Sequence, residues 1–333
     1  MSDIRDVARL AKVSVSTVSY AFSGKRPIRP QTYERVMNAA RELDYAPNAG
    51  ARMMRSEHKN IVALSAPLRL KQNKESYADY FIEMARQEHE RGYDSLLLTA
   101  ENGVEDIRRV TRSNLADGVI LMDIVDDDIR AAQAATYGRP CIAIGLPRHH
   151  SDLACVDLDF ELMGRMAIEA LHDKGRTSPI FLKGPRKEYE RRSSYRLIMR
   201  NSMHTWAKRY GMHLTEAEQS TIREDCIEQT YESIRDRRVD SIISEVRPIQ
   251  LLGVVRALQS RGIVIPDDVS VISCAAGTPS SSLEHLGISE MPLTPQPLCA
   301  AACDILTGAI EHGQQIAGLV SLRKPTFYER TSV

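Results

Sequence analysis

The chain has 333 residues, too many for one ordinary hydrophobic core, and this length predicts two or three domains. With 43% hydrophobic and 26% charged residues it has the composition of a folded globular protein, and the lack of any apolar run near the roughly 18 residues needed to cross a bilayer excludes a membrane-spanning helix. Its 44 basic and 44 acidic residues cancel overall, yet residues 1–60 hold 11 basic and 6 acidic side chains, which concentrates a net charge of +5 at the N-terminus.

Three short helices are predicted in the first 45 residues. Apolar side chains over 4–11 follow helical spacing, Ser14 suits the cap of a second helix over 15–22, and a third helix is predicted over 30–43. The outward face of the second helix carries small polar residues. This is the pattern of a helix-turn-helix, whose second helix enters the major groove of DNA.

A trihelical N-terminus alone is weak evidence for DNA binding, because small helical docking domains share the pattern. The charge of +5, the exposed hydroxyl groups and a basic loop over 25–29 favour nucleic acid as the partner. Residues 47–58 follow as a predicted linker, with about two helical turns around Gly50. Such a short helix is marginal in water, so we expect it to form only on contact with a partner.

From residue 60 onward, short apolar strands alternate with longer amphipathic helices. The alternation predicts parallel sheets covered by helices on both faces. One layer is predicted from strands near 61–66, 95–100, 118–122 and 141–145, and a second from strands near 154–158, 179–184, 240–244 and 268–273. The predicted fold class is therefore an N-terminal all-α helix-turn-helix followed by an α/β core of two doubly wound parallel-sheet subdomains.

Several segments of the chain together resemble the LacI/GalR family of bacterial transcription regulators. They are IRDVA (4–8), VSVSTVS (13–19), Pro47-Asn48, DGVI (117–120), GIVIPDDVSVI (262–272) and YERTS (328–332). The resemblance covers the whole chain. It implies a core similar to periplasmic sugar-binding proteins, with a ligand cleft at the carboxyl ends of the strands.

The resemblance also implies which residues contact DNA. Base contacts fall on Val15, Ser16 and Tyr20, and phosphate contacts fall on Thr17, Ser19, Lys25 and Arg26. Valine is limited to contact with a thymine methyl group, whereas serine is a permissive hydrogen-bonding residue. Lys12 stands where the family usually has glycine, and a left-handed conformation there costs roughly 1–2 kcal/mol.

The linker resembles the hinge helix of the family, which folds on the operator and pairs with its copy in the dimer. The implied minor-groove residues are Asn48, Ala51, Arg52, Met54 and Arg55. Met54 stands where the family usually has leucine. An apolar side chain at this position unstacks a base step and kinks the duplex, and the flexible methionine predicts weaker discrimination between steps.

Two effector contacts of the family are implied, Asp159 and Arg196, while others are replaced. Arg247-Pro248 stands in place of an Asn-Asp pair, and Ala275 in place of an aspartate. A neutral hexose held by a ring of acceptors is therefore poorly supported. The effector class stays open between a sugar, a nucleoside and an anionic metabolite.

The predicted function is a sequence-specific transcriptional regulator, a repressor that binds a pseudo-palindromic operator on double-stranded DNA as a homodimer, with affinity set by a small molecule in the core cleft. A ligand-independent regulator with a degenerate cleft is the alternative, and a binding protein or enzyme with an accidental helical N-terminus is a further one. The predicted divisions are a DNA-binding domain over 1–46, a hinge over 47–58, and a core over 59–333 split into 59–153 plus 286–315 and 154–285 plus 316–333.

Other functional classes lack their motifs. The sequence has no G-x-S-x-G, P-loop, G-x-G-x-x-G or H-E-x-x-H motif, so we expect no enzyme activity, cofactor or metal. The six cysteines form neither C-x-x-C pairs nor a dense disulfide framework. The start MSDIRDVARL is charged where a signal peptide is apolar, so we expect a cytoplasmic protein without membrane attachment.

Overall fold

The structure, a computed structural model, describes residues 3–23, 26–45, 58–67, 74–218 and 224–333. Contacts divide the chain into two units, Met1–Lys59 and Asn60–Val333. No helix within the described ranges is long and apolar enough to span a membrane.

The N-terminal unit contains the three predicted helices, α1 (Ile4–Leu10), α2 (Val15–Ser23) and α3 (Pro30–Glu42). Helix α1 begins with a capping box, in which the Asp3 carboxylate accepts the N–H groups of Arg5 and Asp6 and the Asp6 carboxylate accepts the N–H of Asp3. Small and β-branched side chains form the buried core of this unit, namely Val7, Ala8, Ala11, Val18, Ala21, Val36, Ala39 and Ala40.

The turn between α1 and α2 has the left-handed conformation expected at Lys12. Its φ is 51°, a value that favours glycine because it has no Cβ. The next residue, Val13, donates its N–H to the carbonyl of Ala8 at 3.0 Å and closes the turn. The strained residue therefore sets the direction in which α2 leaves α1.

The core unit is built from parallel strands and covering helices. Its strands are β1 (Ile61–Ser65), β2 (Asp94–Leu98), β3 (Gly118–Leu121), β4 (Cys141–Ile144), β5 (Ala154–Leu158), β6 (Pro179–Lys183), β7 (Thr215–Glu218), β8 (Ser241–Ser244), β9 (Ser270–Cys274), β10 (Ser289–Met291) and β11 (Val320–Arg323). Its helices are α4 (Lys74–Glu90), α5 (Val104–Arg112), α6 (Ile129–Ala132), α7 (Phe160–Asp173), α8 (Arg186–Glu190), α9 (Ser194–Arg209), α10 (Glu224–Arg235), α11 (Pro248–Gln259), α12 (Ser281–His285) and α13 (Pro295–His312). A short 3-10 helix spans Ala134–Thr136.

Within the described ranges the strands form two parallel sheets, which confirms the predicted fold class. The first sheet has the order β11-β5-β4-β3-β1-β2, and the second has the order β10-β9-β8-β6-β7. Strands β3, β4 and β5 are buried along their whole length, because helices cover both faces of the sheet.

The assignment of strands to the two layers differs from the sequence analysis. Strand β5 was expected to open the second layer, but it pairs with β4 and β11 in the first sheet. The predicted first-layer segment 286–315 contains β10, which pairs with β9 in the second sheet. Parallel neighbours in a sheet are usually joined through a helix, but the connection 145–153 between β4 and β5 contains none.

Within the core unit, the described chain passes between the two layers three times. The passages follow β5, β10 and β11, and after the last one Tyr328 forms an antiparallel bridge with Glu290 beside the second sheet. One cavity of the core unit has lining residues, Asp157 and Leu293, near two of these passages.

Candidate functional site

The start of α2 presents a compact hydroxyl cluster on the surface of the N-terminal unit. The Ser14 hydroxyl lies 2.8 Å from the hydroxyls of both Ser16 and Thr17, and it accepts the Thr17 N–H at 3.2 Å. Val15 is 41% exposed beside it, and Ser19 is also exposed. Buried Val18 anchors the opposite face of the helix, so the polar face points to solvent.

Two of the predicted DNA-contacting residues touch each other. The guanidinium of Arg26 lies over the half-buried ring of Tyr20, 5.5 Å from its centroid, within cation–π distance. Lys25 lies outside the described residues, as do the predicted hinge residues Asn48, Ala51, Arg52, Met54 and Arg55.

The core unit has a cavity of about 120 Å³ at the carboxyl ends of the strands of the first sheet. Residues after β3 and β4 and near the end of β5 form one wall, and the segment that joins α8 to α9 forms another. The lining residues are Tyr80, Met122, Asp123, Ile124, Ile144, Gly145, Asp157, Phe160, Glu188, Arg191, Ser193, Ser194, Tyr195 and Leu293.

Asp157 is a buried carboxyl group of this cavity. It is 5% exposed, its Oδ1 accepts the N–H of Leu158 at 2.9 Å, and its Oδ2 has no hydrogen-bond partner among the described residues. Burial raises the pKa of the Asp157 carboxyl to about 8 against the opposing effect of two backbone amides. Burial and the nearby Asp157 also raise the pKa of Tyr80 well above its ordinary value.

The other charged groups of the cavity pair with one another. The Arg191 guanidinium contacts the Asp123 carboxylate and also donates to Glu188, at 2.6 Å and 2.9 Å. One cation is therefore shared by two carboxylates, and both are nearly buried. Such a cluster holds the segment before α9 against the end of β3.

Neither predicted effector contact lines the cavity. Asp159 caps α7 by accepting the N–H of Leu162 at 2.8 Å. Arg196 is buried and forms an ion pair with Glu245 at 2.7 Å, and its guanidinium lies 4.9 Å from the ring centroid of Tyr195. Arg196 thus supports a cavity wall. Burial lowers the pKa of its guanidinium, but Glu245 and the neighbouring Tyr195 and Tyr189 together outweigh burial and raise it.

Asp157, which the sequence analysis did not predict as a site residue, carries a signal in the sequence. It is an acidic residue inside the apolar strand ACVDL, and a buried carboxyl in such a strand needs a partner or a neutral form. The two replaced positions also lie outside the cavity lining: Arg247 is exposed, and Ala275 is buried with a left-handed φ of 49°. Among the described residues no cluster of His, Cys, Asp and Glu has the form of a metal site.

Comparisons with known proteins agree with both parts of the structure. Residues 3–48 match the family model "Bacterial regulatory proteins, lacI family", and residues 169–333 match the model "Periplasmic binding protein-like domain". Catabolite control protein A of Staphylococcus epidermidis is 25% identical over 286 residues, covering 81% of each chain. The HTH-type transcriptional repressor PurR of Vibrio cholerae is 26% identical over 283 residues, covering 82% of this chain and 81% of that protein.

A solved structure shares the fold over nearly the whole length. It is the lac repressor dimer bound to operator and the anti-inducer ONPF, with a TM-score of 0.80, 20% identity, and coverage of 99% of this chain and 98% of that one. This similarity supports the order of a helix-turn-helix region followed by two parallel-sheet layers.

Proposed function

Since the chain belongs to the lacI family of bacterial regulatory proteins and is a DNA-binding transcriptional regulator, we propose that it represses transcription from a pseudo-palindromic operator, which it binds as a homodimer. A small molecule in the core cavity modulates the affinity. The proposed divisions are a DNA-binding domain over 1–46, a hinge over 47–58 and a core over 59–333.

The observation that carries this proposal is the exposed hydroxyl-rich start of α2 on a unit with excess positive charge. Val15, Ser16 and Tyr20 are proposed to contact base edges, with Val15 against a thymine methyl group. Thr17, Ser19, Lys25 and Arg26 are proposed to contact phosphates, which position the helix in the groove. Asn48, Ala51, Arg52, Met54 and Arg55 are the proposed minor-groove contacts.

Exposed apolar side chains on the core unit support a dimer. Ile82 on α4 and Ile249 on α11 are each 69% exposed, an unfavourable state for isoleucine in water. The two helices border one groove, because Asp79 of α4 and Ile249 both line it and the Thr278 hydroxyl donates to Asp79 at 3.4 Å. An isologous pair of such faces buries these side chains.

The position of the cavity supports control by a ligand. Its walls come from the strand ends of the first sheet and from the α8–α9 segment beside the second sheet, and Asp157 and Leu293 lie near two of the passages between the layers. A molecule bound there contacts both layers and favours one relative arrangement of them. The hydrogen-bonding capacity left unused at Asp157 argues against a degenerate cleft.

The test is retention of genomic DNA fragments by the full chain. We expect the fragments that it retains to lie upstream of genes, and a reporter placed behind them to be expressed less when the chain is present. The double variant Val15→Ala, Ser16→Ala keeps the fold, because both side chains are exposed, and is expected to lose selective retention. Equal retention by the variant, or higher reporter expression, contradicts the proposal.

A further inference from the structure

The charges that line the cavity are unbalanced. Three carboxyl groups, those of Asp123, Asp157 and Glu188, face it together with one guanidinium, that of Arg191. Even with Asp157 protonated, the carboxylates of Asp123 and Glu188 outnumber the single guanidinium. Arg191 is engaged by Asp123 and Glu188. Among the ion pairs of the described chain, none gives Asp157 a cationic partner. An anionic ligand therefore meets excess negative charge in this cavity, and the cation that it needs is already bonded twice.

Two buried polar groups of the lining have unused hydrogen-bonding capacity. Within the part of the chain that the structure describes, Asp157 Oδ2 has no hydrogen-bond partner, and neither has the hydroxyl of Ser193, a residue that is 1% exposed. Buried polar atoms of native proteins are nearly always hydrogen-bonded, and exceptions mark places where a ligand or water completes the network. A donor group that enters the cavity satisfies the Asp157 carboxylate.

The remaining walls are apolar and aromatic. Met122, Ile124, Ile144 and Leu293 supply aliphatic surface, whereas Phe160 and Tyr195 lie with ring centroids 4.9 Å apart. Aromatic faces attract cations, and they bind alkyl groups as well. The four aliphatic side chains and the ring of Phe160 offer no hydrogen-bonding group to a polyhydroxylated sugar.

We propose that the cavity binds a small organic cation, a protonated amine or amidine with an apolar body, whose positive nitrogen contacts the Asp157 carboxylate and whose body packs against Phe160 and Tyr195. This inference rests on the proposed function, since it names the class of the effector. The proposed class differs from the three effector classes considered in the sequence analysis, a sugar, a nucleoside and an anionic metabolite.

Binding of such a cation is linked to pH. In the empty cavity the Asp157 pKa is about 8, so the carboxyl is mostly protonated below that value and loses its proton when an ammonium group binds. The affinity therefore rises about tenfold per pH unit from about pH 6 towards pH 8 and levels off above it. Tyr80 of α4 and Cys155 of β5 lie near the same carboxyl and stay protonated over this range, because burial raises the pKa of each. Tyr195 of α9 lines the same cavity, and burial raises its pKa as well.

The charged groups of the cavity other than Asp157 are Asp123, Glu188 and Arg191. The substitutions proposed below at Asp157 and Asp152 leave all three in place. Their influence is common to the wild type and to the Asp157→Asn variant. A pH dependence that disappears in this variant is therefore assigned to Asp157.

The test is calorimetric titration of the full chain with three probes of matched shape: benzylamine, benzyl alcohol and benzoate. Benzylamine is expected to bind at least tenfold more tightly than the neutral and anionic probes at about pH 8. Asp157→Asn is expected to lose at least tenfold in benzylamine affinity and to lose the pH dependence. Asp152→Asn, the same change at an exposed carboxylate in the loop before β5, is expected to bind as the wild type does.

Three outcomes overturn the inference: benzylamine fails to bind at millimolar concentration, benzyl alcohol or benzoate binds as tightly, or Asp157→Asn binds benzylamine unchanged. The DNA retention assay is independent of these titrations. A chain that retains selected fragments but binds no amine refutes the cation effector and leaves the regulator intact. A chain that binds benzylamine but shows no selectivity for DNA refutes the regulator.

Discussion

Replacing the buried Asp157 carboxyl by a neutral amide is expected to make the variant increasingly stable relative to the wild type as the pH rises. The ordinary pKa of an aspartate is 3.8, and in the folded chain it is raised to about 8. Between these values the unfolded chain is ionised at Asp157 and the folded chain is protonated, so unfolding releases a proton. The folding equilibrium constant then falls about tenfold per pH unit, which amounts to about a hundredfold, or about 3 kcal/mol, between about pH 5 and pH 7.

Urea denaturation of the full chain at these two pH values, at one protein concentration, measures the effect. The stability of Asp157→Asn relative to the wild type is expected to increase by about 3 kcal/mol from pH 5 to pH 7. Asp152→Asn serves as the control, because this carboxylate is exposed, and its stability difference from the wild type is expected to be the same at both pH values. A stability difference between Asp157→Asn and the wild type that does not change with pH refutes the argument, since it means that Asp157 is ionised in the folded chain throughout.

Three further predictions follow from individual contacts. Lys12→Gly is expected to raise the stability of the N-terminal unit by about 1 kcal/mol in thermal unfolding, because glycine has no Cβ in the left-handed turn, whereas Lys12→Ala gives no gain. Arg196→Met leaves the Glu245 carboxylate buried without its cation and is expected to lower the free energy of unfolding by roughly 3–5 kcal/mol in denaturant. The double variant Arg196→Met, Glu245→Gln is expected to recover most of this loss. Arg26→Ala is expected to lower the slope of log operator affinity against log salt concentration by about one counterion. Arg112→Ala, at an exposed arginine of the core unit, is the control and is expected to leave the slope unchanged. An unchanged slope in Arg26→Ala argues against a phosphate contact.

Local features of this chain were predictable because their causes are local. The spacing of apolar residues in α1 to α3 and the cap at Ser14 depend on neighbours within one or two helical turns. The left-handed turn at Lys12 followed from the resemblance to a family with glycine there. The two parallel sheets followed from the alternation of strands and helices.

Features that depend on distant partners were not predictable. The membership of β5 in the first sheet is set by its pairing with β4 and β11, and the latter lies far along the chain. Likewise, Arg196 of α9 pairs with Glu245, which follows β8, and it does not line the cavity. The unpartnered atom of Asp157 becomes visible only when every surrounding element is in place.

Sequence-specific binding by a dimer is tested by selecting binding sites from a library of random DNA duplexes with the full chain at near-physiological salt. We expect an enriched site with two-fold symmetry, because two copies of α2 contact equivalent half-sites. Val15→Ala is expected to weaken selection at one equivalent thymine in each half-site and to leave the other positions unchanged. The contradictory result is a folded chain that enriches no sequence, or one whose preferred site is unaffected by substitutions at the start of α2.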